Sequence, residues 1–196
     1  MVIDSNLIVA IVSVVVGSAI GVSSNYWYKK QFDSSQKQHY EQSELSKKQQ
    51  QMQGLLEAFR ILDSTDHRRS RTMVYVLYFE YLDTQQLTSF KSSTEVEDVR
   101  ADFDIMGMLV KTENIEKNNF LEMYGALAYR CWQCLKADIE NERGSRGFPQ
   151  FMSYFQELAK EAEDYWKNKK VDLSKTKLYH PDDPSRSVGF QPKVKN

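Results

Sequence analysis

Met73-Val74-Tyr75-Val76-Leu77-Tyr78-Phe79-Glu80-Tyr81-Leu82 is the stretch on which the fold class turns, because nine of its ten side chains are apolar or aromatic. Such β-branched and aromatic content suits a strand, but a half-buried strand needs a partner with period-two alternation, and no other stretch of the 196 residues supplies one. The run is therefore read as a central helix, apolar on most sides. Its approach agrees: Ser64-Thr65-Asp66 is a helix start signal, and a basic turn with Arg68, Arg69 and Arg71 follows.

Outward from this run the pattern is helical in both directions. Upstream, Leu55, Leu56, Phe59 and Leu62 are expected on one side of a first core helix. Downstream, Thr94-Glu95-Val96-Glu97 reads as a capping box, with hydroxyl and carboxylate each satisfying an end amide. Val96, Val99, Phe103, Met106 and Val110 then recur at spacings of three and four, lining one face. A fourth helix, roughly residues 117–142, repeats the pattern with Phe120, Tyr124, Leu127, Cys131 and Cys134, and Gly144 and Gly147 break it. A fifth is expected to begin near Phe148-Pro149 and to carry Phe151, Met152, Phe155, Leu158, Ala159, Ala162 and Trp166. Five helices and no confident strand predict an all-α bundle over residues 50–168.

The N-terminus has a different character. No charged residue occurs from Ser5 to Tyr28, a stretch of 24 residues, against roughly 20 needed to cross a hydrocarbon core. Tyr26, Trp27 and Tyr28 close it with rings that favour the headgroup level, and Lys29 and Lys30 follow. Residues 1–28 are thus expected to form an uncleaved transmembrane anchor. With Lys29, Lys30 and Lys37 on one side and no Lys or Arg on the other, the anchor is expected N-terminus outside, in the plasma membrane, with the rest of the chain cytoplasmic. Ser13, Gly17 and Gly21 recur every four residues, a small-residue face suited to transmembrane self-association as a homodimer. Residues 29–49 are polar and Gln-rich and read as a helical stalk or linker, with Leu45, Met52, Leu56 and Phe59 near heptad spacing, as in a coiled coil.

The other end, residues 169–196, holds three prolines and no apolar period, and its seven basic residues against three acidic ones give a formal +4. It is expected to be a disordered basic tail. Over the whole chain, 26 Lys+Arg against 27 Asp+Glu argues against a nucleic-acid partner, and two Cys make no disulfide scaffold.

The stretch Val99-Arg100-Ala101-Asp102-Phe103-Asp104-Ile105-Met106-Gly107-Met108-Leu109-Val110, followed by Asn119-Phe120-Leu121-Glu122-Met123-Tyr124-Gly125 and by Tyr165-Trp166, resembles an uncharacterised prokaryotic family of membrane-anchored helical domains. The resemblance covers about residues 55–166. It implies an anchor plus a helical domain and brings no activity or catalytic residues.

Chemistry-bearing patterns are few. Cys131-Trp132-Gln133-Cys134 has the Cys-x-x-Cys spacing of redox pairs and zinc half-sites, but it lies inside a helix rather than at a strand-to-helix turn, and His39, His67 and His180 offer no paired ligand spacing. Two packed core thiols are the plainer reading. The carboxylates Glu95, Glu97, Asp98, Asp102 and Asp104 read as a solvated helix face. Arg68, Arg69 and Arg71 are read as neutralising that face, with an anion or partner surface as the other reading. No phosphate-binding Gly-rich loop, nucleophile elbow or zinc-protease motif occurs, and nothing calls for a cofactor or a metal. The function expected is a protein-binding or scaffolding module tethered to membrane lipid, with Tyr75, Tyr78, Tyr81 and Trp132 as candidate exposed aromatics beside Arg68 and Arg69. An enzyme or sensor with a small-ligand or redox site, and an accessory subunit of a larger membrane complex, are the alternatives.

Overall fold

The computed structural model describes the backbone of residues 5–190 and the side chains from residue 27 onward. The chain divides into two units, residues 1–49 and residues 50–196. Helix α1 runs Ser5–Leu62. Every described side chain of the first unit, from Trp27 to Gln49, is exposed, as its polar, Gln-rich composition requires. The side chains of the expected anchor up to Tyr26, with Ser13, Gly17 and Gly21, lie outside the described residues. Among those described, no helix is long and apolar enough to cross a membrane.

The second unit is built from the end of α1, then α2 (Thr65–Thr84), the single turn α3 (Thr88–Lys91), α4 (Thr94–Lys111) and the single turn α5 (Lys117–Phe120). After α5 come a π-helical turn (Leu121–Gly125), α6 (Ala126–Arg146) and α7 (Ser153–Asn168). The run Met73–Leu82 is helical, as its lack of a partner strand predicts. Helix α4 packs on α7 and α2, and α6 on α7 and α2. The expected face of α4 is the core face: Val96, Val99, Phe103, Met106 and Val110 are all buried. Phe103 stacks on Phe155 of α7 with ring centroids 5.1 Å apart, and Trp132 of α6 meets Phe155 edge-on at 5.3 Å. Close approach of α4 to α7 depends on Gly107, where a Cβ would lie 2.3 Å from the Tyr154 carbonyl oxygen.

Several local expectations are corrected. Helix α4 is capped one residue earlier than the capping box implies: Ser93 Oγ accepts the Val96 amide at 3.3 Å, and Glu95, not Glu97, meets the Ser93 hydroxyl. Helix α7 starts at Ser153 rather than near Phe148, because Met152 adopts a left-handed backbone (φ 55°) that cannot be part of a helix. Asp104 of α4 accepts the Phe155 amide at 2.9 Å and so caps α7 from outside. Leu56 is exposed while Leu55, Ala58 and Leu62 are buried, since 100° per residue separates neighbours on a helix. The fourth helix runs through to Arg146, with one π turn inside it at Leu121–Gly125. Its π turn widens the backbone at Tyr124 and Gly125, letting the Tyr124 hydroxyl donate to Asp63 at 2.8 Å.

The largest correction concerns residues 169–190, expected as a disordered tail. A 3-10 turn (Leu173–Lys175) leads into an antiparallel hairpin of β1 (Lys177–Tyr179) and β2 (Ser187–Gly189), in which Leu178 faces Val188. Leu173 and Leu178 are buried in the bundle core, and Val188 and Phe190 pack against it. Arg186 bonds Asp83 of α2 at 2.7 Å and lies over the Phe79 ring. Two strands of three residues are too short to show a period, so burial of a few irregularly spaced side chains is what orders the segment. The unit is a helical bundle with a small β strap rather than purely α.

Candidate functional site

The sequence singles out two groups, the thiols of α6 and the arginines of α2, and of the arginines the fold brings only Arg71 within reach of the thiols. Cys131 and Cys134 are fully buried. The Tyr75 hydroxyl of α2 lies 3.6 Å from Cys131 Sγ, which fixes the level at which the helices meet. Burial pushes the Cys131 thiol up to about 11, and Tyr75, Arg71 and Arg130 only partly offset that. Burial raises Cys134 and Tyr75 well above their ordinary ranges as well. These thiols are protonated at neutral pH and closed off from solvent, the opposite of an activated nucleophile, which needs exposure and a lowered pKa.

The arginines separate. Arg68 is exposed and pairs with Asp63 at 3.4 Å, alongside the Tyr124 hydroxyl on the same carboxylate. Arg69 is exposed, with Glu95 of α4 in its field. Arg71 is half-buried, and its charge acts on Tyr124 of the π turn and on Cys131 of α6. The expected neutralisation of the α4 carboxylates is met at Glu95, by Arg69. Asp102 is met instead by His67, whose Nδ1 lies 2.7 Å from Asp102 Oδ2, with the His67 ring edge-on to Phe103.

Sequence patterns missed a second ionic contact. Arg100, on the apolar side of α4, donates to Asp138 of α6 at 2.8 Å, with both side chains almost wholly buried. Burial raises the Asp138 carboxyl, and the Arg100 charge pulls it back down. The Arg100 guanidinium also lies 5.6 Å from the Phe151 ring centroid. Arg130, one position before Cys131 and half-buried, was missed too. Its Nε is buried with no hydrogen-bond partner, and its charge reaches Tyr75, Cys131 and Cys134. A lone Arg at an unremarkable helix position carries no pattern, so only packing reveals it.

The expected aromatic surface is overturned. Trp132 is buried, and Tyr75, Tyr78 and Tyr81 pack partly buried against the core. Helices α4 and α6 cover α2 on two sides, and the strap adds Phe190, 6.3 Å from Tyr78 by ring centroids. Exposed large apolar side chains are found at Trp27, Tyr28, Phe32, Tyr40 and Leu45 of α1, and on the second unit at other positions than those expected, among them Ile105, Met123, Phe148 and Tyr179. An open groove of about 460 Å³ lies near Val110, Ile115, Lys117 and Glu161, and another of about 350 Å³ lies beside the 3-10 turn at Asp172 and Ser174, both away from the thiols. Among the described residues no cluster of His, Cys, Asp and Glu is set to hold a metal ion. Comparison of the chain with family models, with curated proteins and with solved structures finds no match.

Proposed function

We propose that the protein is a single-pass membrane-anchored binding module, N-terminus outside, whose helical bundle engages a protein partner at the cytoplasmic face. The observation that carries this reading is the backbone of α1, helical from Ser5 through the whole uncharged segment to Tyr28. A single segment can cross lipid only as a helix, because lipid offers no partner to backbone amides and carbonyls. The aromatic edge at Tyr26–Tyr28 and the lysines beyond it support the orientation, and the same architecture is what the resemblance implies. For the bundle, the sealed thiols and the internally paired His67–Asp102 and Arg100–Asp138 support a structural use of its interior polar groups. Self-association through Ser13, Gly17 and Gly21 belongs to the same reading.

Alkaline carbonate extraction of native membranes, with protease added to intact cells, tests the anchor. Retention of the full chain in the pellet, with the bundle protected, is expected; release into the supernatant overturns it. Chemical crosslinking in the same membranes, followed by mass determination, tests the partner. A discrete crosslinked species of fixed stoichiometry is expected, and an uncrosslinked monomer alone overturns the binding reading.

A further inference from the structure

The arginines of the bundle differ in how they are satisfied. Arg60 pairs with Glu57, Arg68 with Asp63, Arg100 with Asp138, Arg146 with Glu142 and Arg186 with Asp83. Arg143 donates to the Phe151 carbonyl and to Gln156, each at 2.8 Å, and Arg69 is exposed beside Glu95. Arg71 and Arg130 alone among them are half-buried with no acceptor among the described residues, and the Nε of Arg130 is buried without a partner. They belong to the two helices of one contact: Arg71 is one turn before Tyr75 on α2, Arg130 directly precedes Cys131 on α6, Tyr75 Oη is 3.6 Å from Cys131 Sγ, and both charges act on Cys131.

We propose that Arg71 and Arg130 together bind a phosphomonoester-type dianion at the α2–α6 interface. Charge supplies the first reason. Both charges reach Cys131, a thiol that burial keeps protonated at neutral pH, and the carboxylate on the Arg71 side, Asp63, is already taken by Arg68 and the Tyr124 hydroxyl, so neither guanidinium has a carboxylate bonded to it among the described residues. A half-withdrawn cation has lost hydration that only an anion or a dipole can replace. Geometry supplies the second. A guanidinium presents a planar fork of N–H donors, and two forks match the several acceptor oxygens of one phosphate, whereas a carboxylate would leave one charge unmet. The source of the phosphate is either a soluble monoester or the headgroup of an anionic lipid. The site does not depend on the anchor or on a protein partner.

The test uses the full-length chain in nanodiscs. Inorganic phosphate and phenyl phosphate are titrated against zwitterionic discs, with chloride at matched ionic strength as control, and thermal unfolding and calorimetric heat are followed. A second arm compares discs containing phosphatidic acid with zwitterionic discs. We expect saturable binding that weakens about tenfold or more in Arg71→Gln and in Arg130→Gln. Arg71→Lys and Arg130→Lys, which keep charge but lose the fork, are expected to weaken it less, and they carry the test if a Gln variant does not fold. A response to phenyl phosphate assigns the soluble ligand, and a response confined to phosphatidic acid assigns the lipid. No response in either arm, or a response unchanged by both pairs of variants, overturns the site.

Discussion

Helix α6 carries two ionic environments of opposite kind, one buried and one half-buried. At Asp138 it meets Arg100 of α4, one guanidinium to one carboxylate at 2.8 Å, sealed among core side chains. Two turns earlier, Arg130 of α6 and Arg71 of α2 flank the Tyr75–Cys131 contact half-buried, and neither is bonded to a carboxylate among the described residues. A paired buried charge holds two helices in one register, whereas an unpaired one holds nothing and awaits a counterion. The difference teaches that the same residue type serves architecture in one place and recognition in another, and that the partner decides which.

The comparison breaks most visibly at the paired end. Arg100→Met alone strands the Asp138 carboxylate in the core and is expected to cost about 3–5 kcal/mol in urea unfolding. The double variant Arg100→Met/Asp138→Leu is expected to recover most of that loss, since removing both charges also removes their desolvation penalty. A double variant as unstable as the single one would show that the pair is not what links α4 to α6. Packing on the same helix is separated from charge by Gly107→Ala, whose Cβ would strike the Tyr154 carbonyl at 2.3 Å. A loss of about 1–3 kcal/mol is expected from forcing α4 away from α7.

Alkaline pH sharpens the comparison from the other side. Folded Cys131 keeps its proton to about 11 against an ordinary value of 9.0, and Tyr78 and Tyr129 keep theirs to about 12 against 10.0 for a tyrosine. Between about pH 9 and pH 12 the unfolded chain therefore binds fewer protons than the folded one, so stability falls as pH rises. Urea midpoints at about pH 8 and about pH 10 measure the slope. In Cys131→Ala/Cys134→Ala the fall is expected to begin later, with the phenols alone.

The smallest effect is expected at the unpaired end. Without phosphate, Arg71→Gln and Arg130→Gln should each shift stability by no more than about 0.5 kcal/mol, because neither side chain makes a bond within the described residues. A loss as large as that of Arg100→Met would place these arginines among the structural ones.

Much of the bundle follows from spacing. The α4 face from Val96 to Val110, the thiols of α6 and the apolar side of α7 are buried where a period of 3.6 residues puts them. The strap escaped because Leu173, Leu178 and Val188 follow no period, and the π turn because no residue type between Leu121 and Gly125 marks one. At the α2–α6 interface the sequence pointed to Cys131, Cys134 and Arg71 as residue types worth inspecting. It could not say that the thiols are inert, that Arg68 and Arg69 are engaged elsewhere, or that Arg130 joins Arg71.

Local order along the chain is a one-dimensional property, so the helices, their apolar faces and the polar character of residues 29–49 follow from the order of residues alone. Which charge finds a partner depends on distances across helices that the residue order does not contain. Arg100 and Asp138 are 38 positions apart yet share a bond, while Arg71 and Arg130, with carboxylates near them in sequence, end without one. Only close packing settles this, because a side chain's protonation and pairing are set by what is within a few ångströms in space.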